Sequence, residues 1–261
     1  MLGSLVVYAG LGAVLIGLAG LIRPIRWLRI TRRSAAARLL VGGFLLALLG
    51  ALWPAALRHS TGHLWLDHFM PDYQFSETHA TLVQAEPQRV FRAIKNVTAE
   101  EILLLRTLTW IRAPHFRTRS RVTILNPPAA RPILEVATAS SFLLLREEPD
   151  REIVVGTVVL SRVPVAKLDP EGFLRFHPAG SAKATLNFHI QELGAGWCKV
   201  TTETRVLAAE ASARRRFGLY WRLIYPGSAT IRRMWLRAIQ LRAEAALRGP
   251  AGVQEEAPRI P

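Results

Sequence analysis

The chain has 261 residues, enough for one or two domains with a hydrophobic core. It carries 34 Lys and Arg against 19 Asp and Glu, a formal net charge of +15, which favours an anionic lipid surface or nucleic acid as a partner. The single cysteine, Cys198, excludes an intrachain disulfide and a Cys-x-x-Cys metal or redox site.

Two long uncharged runs, Ser4–Ile22 and Leu39–Leu57, lie at the start of the sequence. Each is long enough to cross a hydrocarbon core as a helix. No comparable run follows residue 58, which argues against a polytopic transporter. We therefore predict a two-helix transmembrane anchor over 1–58, with a basic loop at 23–38. The first run is not expected to be a cleaved signal peptide, because Met1–Gly3 contains no Lys or Arg.

The basic loop predicts the orientation of this anchor. Short loops rich in arginine stay in the cytoplasm, so both chain ends and the domain after residue 58 are expected on the periplasmic or extracellular side of the cell membrane. The arginines beside the membrane favour anionic lipid headgroups as partners, and no nucleic-acid partner is predicted.

Small residues recur every four positions in both runs, which lets helix backbones approach closely. The pattern leaves two alternatives open, an intramolecular hairpin or a face used in oligomers. The residues are Ala9, Ala13 and Gly17 in the first run, and Gly43, Ala47 and Ala51 in the second.

Residues 59–71 are predicted to be a linker. If this segment were helical, His59, His63 and Asp67 would share one face and could bind a divalent metal. A hydrated interfacial segment is the simpler interpretation, and no metal site is predicted.

The folded domain is placed at 72–247 and begins with one strand and two helices. Phe75–Val83 is predicted to be a strand, and Pro87–Asn96 is predicted to be a helix with a proline in its first turn. A second helix is predicted over Ala99–Ile111, after the capping box formed by Thr98 and Glu101.

Strands are predicted to dominate the middle of the domain. Ser141–Glu147 and Glu152–Leu160 read as one hairpin, and Ala182–Glu192 and Trp197–Leu207 read as another. Phe173–His177 is predicted to be a short strand between them.

The chain ends in a long amphipathic helix, predicted over Ala209–Leu247 and broken at Pro226-Gly227. Residues 248–261 are predicted to be a disordered tail. The order of strand, helices, antiparallel strands and long helix is typical of the α+β class.

This order resembles the helix-grip fold of the START/polyketide-cyclase (SRPBCC) superfamily, in which an antiparallel sheet wraps around a long C-terminal helix. The resemblance extends over about residues 72–247 and is strongest with uncharacterised bacterial members; the two apolar runs depart from the usual soluble member. Its carriers are Phe173-x-x-Phe176, Gly180-x-Ala182-Lys183-Ala184, Asn187-Phe188, Thr202-Glu203-Thr204-Arg205-Val206, Arg214-Arg215-Arg216-Phe217, Tyr220-Trp221-Arg222-Leu223-Ile224, Pro226-Gly227-Ser228 and Ile231-Arg232-Arg233.

The resemblance implies a cavity between sheet and helix that holds a hydrophobic ligand. Large side chains on the strand and the helix are candidates for its walls, although aromatic residues on a helical stripe are more often plain core. The candidates are Phe188, Phe217, Tyr220, Trp221, Met234 and Trp235. Glu203 and Arg205 alternate with threonines on one strand, and are expected to be either a solvated ion pair or, if they face inward, a polar anchor and acid/base site in the cavity.

No catalytic motif was found, and neither a catalytic residue nor a cofactor is predicted. His177 and His189 are candidate proton donors at a pocket mouth, or simply rim histidines. The preferred hypothesis is a non-enzymatic, membrane-anchored binder of a lipid or other hydrophobic molecule. The alternatives are an enzyme of cyclase, dehydratase or hydrolase type on such a molecule, and a protein-interaction module with a filled core.

Overall fold

The computed structural model describes residues 2–28, 30–112, 122–161, 165 and 168–245. Within them the chain is α+β, with a helical hairpin, a five-stranded antiparallel sheet and a long C-terminal helix. The predicted tail, 248–261, lies outside the described residues. The elements are α1 (Leu2–Ile22), α2 (Arg33–Leu52), β1 (Arg58–His59), α3 (Trp65–Phe69), β2 (Asp72–Tyr73), β3 (Phe75–Val83), α4 (Pro87–Asn96), α5 (Leu105–Arg112), α6 (Ile133–Ser140), β4 (Leu143–Glu148), β5 (Glu152–Val159), α7 (Pro170–Arg175), β6 (Ala182–Gly194), β7 (Trp197–Ala208) and α8 (Ala211–Glu244).

Helices α1 and α2 pack against each other as a close antiparallel hairpin. A Cβ placed on Gly10 would lie 2.4 Å from the Ala47 amide nitrogen, and one on Gly43 would lie 2.8 Å from the Ala13 Cβ. The small residues therefore serve intramolecular packing, the first of the two alternatives. The buried positions are Gly3, Gly10, Gly17 and Gly20 in α1 and Ala36, Gly43 and Gly50 in α2, so most recur every seven residues rather than every four, and Ala9 is exposed.

The five-stranded sheet has the order β3-β7-β6-β5-β4, and all its pairs are antiparallel. The strand at Phe75–Val83 has the predicted bounds and lies at one edge of the sheet. Helix α8 packs on one face, which places alternate side chains of each strand against it. On the other face, α3 covers β5 and β6 and α7 packs beside β4, whereas the outer face of β3 is exposed at Thr78, Ala80 and Leu82.

Helix α8 runs without interruption from Ala211 to Glu244, with Pro226 inside it. The predicted break at Pro226-Gly227 is therefore wrong. A proline inside a helix lacks the N–H that would bond to the carbonyl four residues earlier, here that of Arg222. Another part of the chain supplies the missing donor, as described below.

Two other local predictions differ from the structure. Residues 170–175 form α7 where a strand had been expected at Phe173–His177, because the Asp169 side chain accepts a hydrogen bond from the Gly172 amide and Pro170 opens the helix. Helix α5 begins only at Leu105, because Leu104 adopts a φ of 63°.

Residues 59–71, predicted to be a linker, are packed against the domain. Strand β1 pairs with β2, and α3 and the residue after it insert Leu66, Phe69 and Met70 into the apolar layer on the outer face of the sheet. The segment begins in a strand and does not form the continuous helix that the metal hypothesis required.

Candidate functional site

A cavity of about 450 Å³ lies where the helical hairpin meets the domain. Its wall combines the first two turns of α1, the segment after α2, the start of β3 and the middle of α8. The described residues that line it are Gly3, Ser4, Leu5, Tyr8, Trp53, Pro54, Ala55, Ala56, Arg58, Gln74, Phe75, Ser76, Trp221, Arg222 and Tyr225.

Arg222 is the residue that joins the hairpin to the domain. The Tyr8 hydroxyl of α1 donates to the Arg222 carbonyl at 2.5 Å, and this is the carbonyl that Pro226 leaves without a helical donor. The Arg222 guanidinium in turn donates through Nη2 to the Trp53 carbonyl at the end of α2, at 2.6 Å. Both helices of the hairpin are thereby fixed to one turn of α8.

Aromatic rings form the domain side of the cavity. The Trp221 ring lies 6.0 Å from the Phe75 ring and 6.0 Å from the Tyr225 ring, measured between centroids. Phe217 packs behind them, 5.2 Å from Phe75. These contacts hold a stiff apolar wall on which a hydrophobic ligand can lie.

The polar groups of the cavity are basic. Arg58 and Arg222 are the two charged residues among the described residues that line it, and neither Asp nor Glu occurs there. Burial lowers the pKa of the Arg222 guanidinium and raises the pKa of the Tyr225 hydroxyl, because both charged forms lose hydration. The Arg222 Nε is buried and has no hydrogen-bond partner within the described part of the chain.

Glu77 is the centre of a buried polar cluster between the sheet and α8. It follows Ser76, which lines the cavity. Its side chain is 1% exposed, and its carboxylate accepts from His79 Nε2 at 2.8 Å and from Ser228 Oγ at 2.9 Å. The cluster brings together an acid, a base and a hydroxyl group.

The predicted ligand-binding residues on the α8 side of the sheet lie in different surroundings. Phe188 and Trp235 pack on each other in the core, with ring centroids 5.0 Å apart, and half-buried Met234 packs beside them. Phe217 is buried, and Tyr220 is exposed on the outside of α8. Of these candidates, Trp221 lines the cavity.

Glu203 and Arg205 project from the opposite face of the sheet, away from α8. The Arg205 guanidinium donates to Glu203 at 2.7 Å, to Asp67 at 2.8 Å and to the Met70 carbonyl at 3.0 Å. Burial alone would lower the pKa of Arg205, but the two carboxylates raise it above its usual value. The pair is thus neither solvated nor aimed at the cavity: it holds the α3 segment against the sheet.

Asp67 is the centre of that attachment. Burial alone would raise its pKa, but hydrogen bonds from Ser60, the Leu64 amide and Arg205 outweigh burial and lower the pKa below the usual value. Glu152, buried in the same layer, accepts from the amides of Trp65 and Leu66 at the start of α3. The charged groups of Asp67, Arg205 and Glu152 on the outer face therefore attach the α3 segment to the sheet.

The histidines are dispersed. His59 Nδ1 pairs with Asp72 at 2.8 Å, and no cluster of three potential metal ligands occurs among the described residues. His177 is exposed, and the pKa of His189, on the outer face, is lowered by burial. A second, more open recess of about 340 Å³ lies over residues 60–68 and includes His63.

Sequence reasoning missed most of the cavity, because its walls are far apart in the chain. Tyr8, Trp53, Phe75 and Arg222 lie on four separate segments. One signal was available: a proline within a long helix leaves a carbonyl that needs an outside donor, and Arg222 is four residues before Pro226.

No protein-family model and no curated protein matches the chain. Known structures give distant likenesses. The chain is similar to an aromatase/cyclase. That protein, the Zhui aromatase/cyclase from Streptomyces sp. R1128, is 15% identical over 69% of this chain and 99% of its own, with a TM-score of 0.27.

Two further similar structures have no stated activity. A hypothetical protein from Helicobacter pylori is 6% identical over 72% of this chain and 99% of its own, with a TM-score of 0.35. A protein from Mesorhizobium loti is 10% identical over 63% of this chain and 96% of its own, with a TM-score of 0.30. The likenesses are distant, and the function proposed below rests on the geometry of this chain.

Proposed function

We propose that this protein is a membrane-anchored, non-enzymatic binder of a lipid or other hydrophobic small molecule. The observation that carries the proposal is the cavity between the hairpin and the domain. Its volume of about 450 Å³ is within the range of small-molecule sites, about 300–1,000 Å³. Its walls are mainly apolar and aromatic, with a few polar groups that can orient a ligand.

The anchor is the second part of the proposal. Gly3–Ile22 and Arg33–Leu52 are long and apolar enough to cross a membrane, and only 17% of the most apolar window of each is buried. A core helix of a soluble protein would be mostly buried. With both helix ends beside α8 and the arginine-rich loop at the far end, the domain would lie on the periplasmic or extracellular side.

Exposed apolar side chains on α8 support this placement. Leu223 is 81% exposed and Leu219 is 53% exposed, and both are within a turn of Arg222, where the hairpin is attached. In water such side chains would be unfavourably hydrated, whereas at the membrane interface they would face acyl chains.

We also propose membership of the SRPBCC superfamily, on the arrangement of the antiparallel sheet around α8. The distal half of α8 packs on a filled core, with Phe188 against Trp235. The proposed ligand therefore lies at the hairpin end of the sheet, where Trp221 lines the cavity, rather than along the whole helix.

Native mass spectrometry of the full chain, released from lipid nanodiscs, tests the proposal. We expect a retained apolar molecule in the wild type and its loss in Trp221→Asp and in Ala56→Trp, which fills the cavity without removing a wall. Trp197→Asp, on the exposed hairpin between β6 and β7, is the matched control and should retain the ligand. A wild-type protein that releases as a clean apo mass would instead favour an interaction module.

An enzyme remains a second candidate because of Glu77, His79 and Ser228. A buried carboxylate that holds a histidine and a hydroxyl is a possible acid–base group. If the protein converts the molecule that it binds, Glu77→Gln should accumulate the unconverted ligand in the same experiment. An identical ligand in both proteins would favour the binder.

A further inference from the structure

We infer that the cavity is selective for an anionic headgroup, a phosphate or carboxylate, carried on an apolar body. This inference rests on the proposed function and adds the chemical class of the ligand. Two arginines that line the cavity carry it, Arg58 of β1 and Arg222 of α8.

The charge of the cavity is positive and uncompensated by its own lining. Arg58 and Arg222 have no acidic neighbour among the described residues that line the cavity. The nearby Glu77 carboxylate is directed into the interior, where His79 and Ser228 bind it. An anion in the cavity would therefore be attracted by both guanidinium groups, and the buried Glu77 carboxylate, whose charge reaches Tyr225 of the lining, would oppose this attraction in part.

Arg222 has donors to spare. A guanidinium carries five N–H groups in a planar fork that matches the oxygens of phosphate and carboxylate. The structure uses Nη2 for the Trp53 carbonyl, and leaves Nε buried without a partner within the described residues. Because Nε has almost no accessible surface, it does not open onto the cavity, and the attraction for an anion comes from the positive charge of the guanidinium.

The rest of the wall fits an apolar body. Leu5 and Phe75 line the same cavity as Trp221. Beyond the cavity, the rest of α1 is apolar. Because the cavity lies at the ends of the two hairpin helices, it is at the depth where lipid headgroups are found. A lipid can thus place its headgroup beside the arginines of the cavity and its chain along the aromatic wall.

The test uses the full chain in two kinds of nanodisc, phosphatidylcholine alone and an equal mixture with phosphatidylglycerol of the same acyl chains. We expect phosphatidylglycerol to be enriched about tenfold or more over phosphatidylcholine among the lipids retained in native mass spectrometry. Arg58→Gln and Arg222→Gln should bring the retained ratio back towards that of the mixture. Arg237→Gln, an exposed arginine of α8 away from the cavity, should keep the enrichment.

Arg58→Gln is the more specific of the two variants, because Arg222→Gln also removes the hydrogen bond to the Trp53 carbonyl. Retention of both lipids in their bulk ratio by the wild type would overturn the inference and leave the proposed function standing. No retained lipid in either nanodisc would overturn both. Inorganic phosphate is a separate arm: a thermal shift that is lost in Arg58→Gln, without lipid enrichment, would also overturn the inference, because the site would then bind a soluble anion rather than a headgroup on an apolar body.

Discussion

The bond from Tyr8 to the Arg222 carbonyl gives the sharpest prediction about the junction between hairpin and domain. Tyr8→Phe removes the hydroxyl that donates to the Arg222 carbonyl. Because Pro226 has no N–H, this carbonyl is then left without a donor. A partly buried polar group that loses its partner costs about 1–2 kcal/mol, so local opening of this turn should become about 5- to 30-fold more frequent.

Hydrogen exchange of the full chain in nanodiscs measures that opening. Peptides that cover residues 218–226 should exchange faster in Tyr8→Phe by this factor. Tyr73→Phe, which removes a hydroxyl from β2 instead, should leave these peptides unchanged.

A double-mutant cycle isolates the cause. Pro226→Ala restores an N–H that can donate to the Arg222 carbonyl within α8, so Tyr8→Phe should cost less than about 0.5 kcal/mol in that background. Equal exchange in Tyr8→Phe and the wild type, or an equal effect of Tyr8→Phe in both backgrounds, would refute the reasoning.

Three further predictions concern stability. Gly43→Leu should lower the free energy of unfolding of the hairpin in detergent by about 1–3 kcal/mol, because the added Cβ would meet Ala13. Gly42→Leu is the control and should be neutral, because the space beside Gly42 is open. The lowered pKa of Asp67 means that its stabilising contribution is complete above its unfolded pKa, about 3.9, and is lost as the pH falls through the folded value; Asp67→Asn should flatten the acid limb of a plot of apparent Tm against pH. Phe188→Ala should cost about 3–5 kcal/mol in chemical denaturation, and a cost below 1 kcal/mol would contradict its place in the core.

Local patterns were sufficient for much of the domain. Phe75–Val83 and Pro87–Asn96 have the bounds that alternation and a first-turn proline predict, and the second β-hairpin turns where its glycines lie. These features depend on neighbouring residues. The α+β class and the long terminal helix followed from them.

The sequence could not predict features that depend on distant parts of the chain. Pro226 reads as a helix break until Tyr8, more than two hundred residues earlier, is seen to donate to the carbonyl that it leaves free. Glu203 and Arg205 read as a solvated pair or a cavity anchor until Asp67 is placed over them. The cavity itself exists only because the hairpin is folded against the domain, so no single segment carries its pattern.

The junction also bears on whether hairpin and domain are interchangeable modules. A chain that begins at residue 60 would keep the sheet and α8 but would lose Tyr8, Trp53 and Arg58. Its Arg222 carbonyl and the faces of Phe75 and Trp221 would be exposed to solvent. This exposed apolar patch would favour aggregation of the fragment. A foreign helical hairpin grafted on in place of the native one would lack the Tyr8 and Trp53 side chains that complete the wall of the cavity.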